Sequence, residues 1–188
     1  MAVQKSDKWK FKKWYTILAP KMFNEIEIGE MPANSDKSAL GRNIKVALSN
    51  LTNNPSNSYT NVILKVTDVN GNVAHTKIVE MAQLYSYIRS LVRRYRSVAS
   101  AVQPVKTKDD VEMVAKVIII TRGRTAHTKL IGLRKELEGY LKSYFSENEH
   151  NAAIMAIVEG RLQSELATKL NHIAPINKIE VNKLEIKS

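Results

Sequence analysis

Asn70-Gly71 stands between two alternating apolar runs, Val62, Leu64 and Val66 before it, then Val73 and a stretch near Thr76 to Val79 after it. Asn and Gly both tolerate positive φ, so the pair predicts a hairpin that turns the chain back on itself. A hairpin commits its strands to antiparallel pairing, and the regular strand–helix alternation of a parallel sheet is missing from the rest of the chain. Shorter segments add strands at Trp14 to Leu18, Ile26 to Ile28 and Ile44 to Leu48. Between the last of these and the hairpin, Asn50 to Ser58 is rich in Asn, Ser and Pro and reads as an exposed loop.

From Glu80 the apolar spacing becomes helical. Met81, Leu84, Ile88, Leu91, Val92, Tyr95 and Ala99 fall on one stripe, predicting a helix over 81–99 that Gln103-Pro104 ends, with Arg89, Arg93 and Arg96 on a neighbouring face. Lys106 to Asp110 reads as a polar turn, and Val111 to Thr121 as a long strand with a buried second half. Leu130, Leu133, Leu137, Leu141 and Tyr144 mark a second amphipathic helix. Ile154, Val158, Leu162, Leu166 and Leu170 mark one or two more, with Gly160 as a break and Pro175 closing the region. A last strand carries Ile179, Val181, Leu184 and Ile186, with a bulge expected near Asn182-Lys183, where alternation fails. The expected fold is α+β, a mainly antiparallel, barrel-like sheet with two to four packed helices. It comprises a basic arm over residues 1–13 and one domain over 14–188 whose helical segment runs from about 129 to 172.

Charge narrows the function more than the fold does. The 188 residues carry a net +11, but three stretches, residues 1–21, 89–96 and 122–135, hold +14 between them and leave −3 for the remainder. Basicity gathered in patches is expected of a protein that grips a polyanion. The arm places Lys8, Lys10, Lys12 and Lys13 among Trp9, Phe11, Trp14 and Tyr15; an extended arm would turn Trp9 and Phe11 to one side and Lys8, Lys10 and Lys12 to the other. Arg89, Arg93, Arg94 and Arg96 form the second candidate. The sharpest is the run from Thr121 to Lys135, where Arg122, Arg124, Lys129, Arg134 and Lys135 supply cations and Thr121, Thr125 and Thr128 supply hydroxyls suited to phosphate and ribose. Within it, Gly123 relieves crowding between two planar guanidinium forks that match phosphate geometry.

Catalytic signals are weak by comparison. The chain has no cysteine and only four scattered histidines, so thiolate chemistry, disulfides and the usual zinc sets are excluded and no metal or cofactor is expected. Asp109 and Asp110, with Glu112, could be imagined as the carboxylates of a metal-dependent nuclease, but adjacent residues on a strand face opposite ways, and a polar turn accounts for them better. No phosphate-cradling glycine loop or nucleophile elbow occurs. The N-terminal residues lack the apolar stretch of a secretory signal, and no run approaches the ~18 apolar residues that span a bilayer. These readings favour an RNA-binding protein of the reducing cytoplasm. The rival is a module of similar fold that binds free RNA or an anionic membrane surface through the same patches.

Several segments in series resemble one family. They are Lys13-Trp14-Tyr15 with Ala19-Pro20, Met22-Phe23-Asn24 and Ile28-Gly29; Leu40-Gly41-Arg42 leading into Val46-Ala47-Leu48 and Leu51; Thr67-Asp68-Val69 with Gly71; Leu91-Val92-Arg93-Arg94; Val105-Lys106-Thr107-Lys108-Asp109; and Arg124-Thr125 followed by Leu133-Arg134-Lys135. Over roughly residues 8–187 the chain is similar to the archaeal and eukaryotic small-subunit ribosomal S3Ae family, and its length is that of an archaeal member. The resemblance implies an rRNA-bound structural protein on the small-subunit platform, near the 3′ end of the rRNA and the mRNA exit. Its implied partners are small-subunit rRNA, neighbouring ribosomal proteins and mRNA at the exit; no membrane, enzymatic activity or cofactor is implied. The family's basic stretches match Lys8 to Lys13, Leu91 to Arg94 and Arg122 to Lys135. Arg124-Thr125-Ala126-His127 departs from the family's frequent Lys-Thr-Ser-Gln, and the last strand has fewer arginines than is usual, so no RNA contact is expected from it.

Overall fold

The computed structural model describes Trp9 and residues 12–187. Eight strands, β1 (Lys13–Leu18), β2 (Glu27–Ala33), β3 (Asn43–Ala47), β4 (Thr60–Asn70), β5 (Val73–Gln83), β6 (Val98–Lys106), β7 (Glu112–Thr121) and β8 (Ile176–Ile186), form one sheet. The helices are α1 (Asp36–Ala39), α2 (Leu48–Thr52), α3 (Tyr85–Leu91), α4 (His127–Glu147), α5 (His150–Val158) and α6 (Arg161–Leu170). The fold is therefore α+β, as expected. The sheet is not the barrel expected. Its main path runs β2-β1-β5-β8-β7-β6 with β4 and β3 branching from β5, and it stays open at β2, β3 and β6 among the described residues. It is mainly antiparallel, as expected, but mixed, because β1 joins β5 in parallel through Thr16, Ile17 and Leu18.

The branch at β5 follows from how its two edges are shared. One edge pairs with β4 along nearly its whole length, from Asn70 opposite Val73 to Thr60 opposite Gln83. The other edge gives residues 73–75 to β1 and residues 80–82 to β8. The hairpin signal was correct, with one shift: Asn70 belongs to the ladder, and Gly71, at φ 63, opens a two-residue turn with Asn72. The bulge expected near Asn182 is also present, since Lys116 pairs with Lys183 but Val117 pairs with Val181. The expected loop at Asn50 to Ser58 is instead α2 followed by a 3-10 turn over Pro55–Tyr59, in which Asn54 accepts the Ser56 N–H.

The helix expected over 81–99 does not exist. Met81 belongs to β5, α3 holds only seven residues, and Ala99 lies in β6. Gln103 and Pro104 end nothing; they sit inside β6. Pro104 is tolerated there because β6 is an edge strand with β7 as its sole partner among the described residues, so a missing N–H need not cost a ladder bond.

The core is built on both faces of β7. Val117 and Ile119 face the main cluster with Leu133, Leu137, Leu141 and Phe145 of α4 and Leu162, Leu166 and Leu170 of α6, all buried. Ile118 and Ile120 point the other way and pack against Ile88 of α3. A strand covered on both faces explains why its second half reads as a continuous apolar run. The buried α4 and α6 residues recur every four positions, within the helical spacing that the sequence indicates, and the break between α5 and α6 falls at Gly160, whose φ of 79 is a left-handed conformation that favours glycine. A smaller cluster of Tyr15, Ile17, Met31, Ala33, Ala39, Val66 and Ala74 lies under α1, where the Tyr15 hydroxyl donates to Asp36 at 2.6 Å.

Candidate nucleic-acid interface

Two of the three basic stretches meet at one end of the sheet. The ladder between β6 and β7 closes with Val98 opposite Ile120, and the chain beyond it is locked on both sides. The Thr121 N–H donates to the Ser97 carbonyl at 3.0 Å. The Ser97 N–H donates to the Thr121 hydroxyl at 3.0 Å. That hydroxyl lies 2.7 Å from the Gly123 carbonyl, to which it donates. The Thr125 N–H then donates to the Ser97 hydroxyl at 3.0 Å, and the Arg122 N–H to the Pro175 carbonyl at 2.9 Å. These bonds hold the loop at residues 122–126 against the turn that carries Arg93, Arg94 and Arg96. Across the join, the Arg124 guanidinium sits over the Tyr95 ring, 5.3 Å from its centroid.

The sequence expected Thr121 to reach phosphate. It is fully buried and committed to Ser97 and Gly123, so its role is to shape the loop. Thr125 is half-buried and holds the loop through its N–H, with its hydroxyl 3.4 Å from the Gly123 carbonyl. Gly123 has an ordinary φ, and a Cβ there would meet nothing within 4 Å, so crowding does not require glycine. Arg93, Arg94, Arg122, Arg124 and Lys129 are exposed and Arg96 is half-buried.

Helix α4 begins at this patch. Its N-cap is Ala126, which offers no side-chain acceptor, and its first turn holds no acidic residue but does hold Lys129. Uncapped N–H groups and the positive end of the helix dipole thus add to the guanidinium charge instead of being offset by it. Farther along, Arg134 and Lys135 leave the patch: five residues on from Lys129, Arg134 is turned about 140° around the helix. The Arg134 side chain is half-buried, and its Nε has no hydrogen-bond partner among the described residues.

Arg89 rides on α3 and not on a long helical row. Its helix is fastened by Ile88 below and by a polar cluster at its start. There the Gln83 amide donates to buried Glu180, the Tyr87 hydroxyl donates to it at 2.9 Å, and Lys178 pairs with it at 2.7 Å. Burial and the Glu180 charge together push the Tyr87 phenol up, although Lys178 pulls the other way. Arg89 lies over the exposed Tyr85 ring, 5.6 Å from its centroid.

The arm is elsewhere. β1 and β7 run in the same direction, so Lys13, which opens β1, stands at the end of the sheet opposite Thr121. Lys8 and Lys10 lie outside the described residues. Lys12 is not on the opposite side from Trp9, as an extended arm requires: its N–H donates to the Trp9 carbonyl at 3.2 Å and its Nζ folds to 3.4 Å from the Trp9 ring centroid.

The nuclease carboxylates do not converge. Asp109 accepts the His150 N–H at 3.1 Å and lies 3.0 Å from the His150 ring, whereas Asp110 pairs with Lys106 at 2.7 Å. The His150 ring hydrogen bond, and then the His150 backbone N–H, hold the Asp109 carboxyl below its ordinary value. Among the described residues no His, Cys, Asp or Glu cluster could hold a metal, and no helix is long and apolar enough to cross a membrane.

Sequence reasoning missed Tyr95 and Ser97. Helical spacing puts Tyr95 in a buried stripe, yet it is 72% exposed. The available signal was its place between Arg94 and Arg96, the same aromatic-among-cations pattern that marks the arm.

Residues 2–188 match the model of the ribosomal S3Ae family. The chain is similar to the small ribosomal subunit protein eS1 of Sulfurisphaera tokodaii, at 34% identity over 96% of this chain and 93% of that one. It is similar to the eS1 proteins of Methanobrevibacter smithii, at 32% over 96% and 93%, and of Saccharolobus islandicus, at 31% over 96% and 86%.

Proposed function

The chain belongs to the ribosomal S3Ae family, and from that membership we propose that its basic surface holds small-subunit rRNA. Its role is structural and not catalytic: it is a constituent of the small ribosomal subunit and supports translation in the cytoplasm as part of the ribosome. Its partners are rRNA and neighbouring ribosomal proteins.

The observation that carries the rRNA reading is the lock between Ser97, Thr121 and Thr125, which sets the arginines of the 92–96 turn beside those of the 122–126 loop at the uncapped start of α4. Such a surface neutralises phosphates through charge-assisted bonds and reads backbone shape more than sequence. Arg89 on α3 and the lysines of the arm, at the other end of the sheet, extend the grip to a second stretch of RNA. Arg134 and Lys135 take a separate part, farther along α4. The family resemblance supports a position on the platform near the mRNA exit, with mRNA as a passing neighbour. Co-sedimentation with small subunits tests the assignment. The protein should travel with them at low salt and leave as salt rises; a chain that stays free at low salt overturns it.

A further inference from the structure

Tyr95 combines three properties that a turn residue rarely shares. Its φ of 66 places a bulky side chain in the left-handed region, where Gly or Asn would ordinarily stand. Its ring is 72% exposed, so burial gives no reason for an aromatic there. One face of that ring carries the Arg124 guanidinium, 5.3 Å from the centroid, and its chain neighbours are Arg94 and Arg96. A strained backbone of this kind persists only where the surrounding structure over-determines it. Here the chain two residues on is locked, since Ser97 bonds both Thr121 and Thr125. Tyr85 is the instructive contrast: it is equally exposed and has an arginine alongside, but it lies on an ordinary helical turn with its cation four residues on in α3.

We propose that Tyr95 is a stacking platform for an unpaired nucleotide base of the bound RNA. The inference rests on the rRNA reading and adds to it the chemical group recognised. The guanidinium of Arg124 holds the ring upright from one side, a base lies on the ring, and Arg93, Arg94, Arg96 and Arg122 take the phosphates on either side. Stacking needs the flat ring and not its hydroxyl, and it tolerates any base because each has a π face. It also accounts for a tyrosine where the backbone prefers glycine.

The test uses the full chain with Tyr95→Gly and Tyr95→Phe. Glycine removes the ring while relieving the left-handed strain, so this variant should melt no lower than its parent. Phenylalanine keeps the ring. Binding is measured to a short oligoadenylate and to the matching abasic ribose-phosphate oligomer, which has the same charge and no bases. Tyr95→Gly should bind the oligoadenylate about tenfold more weakly, the scale of one base–aromatic stack, and bind the abasic oligomer as the parent does; Tyr95→Phe should match the parent on both. Undiminished binding of oligoadenylate by Tyr95→Gly overturns the stacking role and leaves the electrostatic grip standing. So does an equal loss on both oligomers, which would mean that the ring acts only by placing Arg124, and so does a Tyr95→Phe loss as large as that of glycine. A parent that binds neither oligomer nor small-subunit rRNA takes down both readings.

Discussion

The Thr121 hydroxyl accepts the backbone N–H of Ser97 at 3.0 Å while the Thr121 N–H donates to the Ser97 carbonyl at the same distance, so two residues close the last rung of a ladder and the base of the basic loop together. Substituting Thr121→Val keeps the shape of this fully buried side chain but leaves the half-buried Ser97 N–H without its acceptor. A buried donor left without a partner costs about 1–3 kcal/mol, and a half-buried one falls at the low end of that range, about 1 kcal/mol. Urea unfolding should show that loss with an unchanged slope, and rRNA affinity should fall although no cation has been removed.

The electrostatic grip is tested by removing cations that make no core contact. Arg122, Arg124 and Lys129 are exposed, so replacing all three by Ala should leave the melting temperature nearly unchanged. Each phosphate no longer neutralised should flatten the plot of log affinity against log salt by roughly 0.7–0.9. A correctly folded triple variant with the parental slope would move the RNA-binding surface to Arg89 and the α3 turn.

Acid should loosen the seating of α5. Asp109 has its carboxyl held below the ordinary value by the His150 ring and backbone N–H. A carboxylate depressed in the folded state contributes stability that is fully present above the unfolded value, about 3.9, and is lost as pH falls through the folded one. Asp109→Asn retains an acceptor for the His150 N–H but cannot titrate. The parent should therefore be more stable than Asp109→Asn at pH near 6 and converge with it near pH 2, read from thermal unfolding; parallel pH curves would contradict this.

Two glycines should respond oppositely to alanine. Gly160 is left-handed between α5 and α6, so Gly160→Ala should destabilise the protein by about 1–2 kcal/mol. Gly123 has neither a left-handed φ nor a neighbour in the way. Gly123→Ala should be neutral or stabilising by up to about 1 kcal/mol, through the unfolded chain. Calorimetry of the two variants decides the matter.

The region from 81 to 106 shows where the sequence ceases to be legible. In β6 the inward positions are Ala99, Ala101, Gln103 and Val105, of which only Val105 is a sizeable apolar residue, so the alternation that identifies a strand is faint. Apolar residues that belong to three elements, Met81 in β5, Ile88 in α3 and Ala99 in β6, happen to fall at helical spacing. What decides between these states is the pairing of Gln83 with Thr60 and of Val98 with Ile120, long-range ladders that local periodicity does not contain. The helices α4 and α6 were legible because Leu133, Leu137, Leu141, Leu162, Leu166 and Leu170 are large and regularly spaced. The candidate interface was legible as charge, since arginines announce themselves, but its assembly was not. Ser97 and Tyr95 matter through backbone conformation and contacts across the fold.

The shared edge of β5 also bears on how the chain completes itself. The β4–β5 and β6–β7 ladders join neighbours in sequence and can form early, whereas β8, the last strand in sequence, slots between β5 and β7 and pairs with β5 across about a hundred positions. Until it arrives, β5 and β7 each present a bare row of backbone donors and acceptors, and on β7 that row runs beside Val117 and Ile119. Such edges invite pairing with another chain. A polypeptide halted before Ile176 is thus the form of this protein most in need of a chaperone.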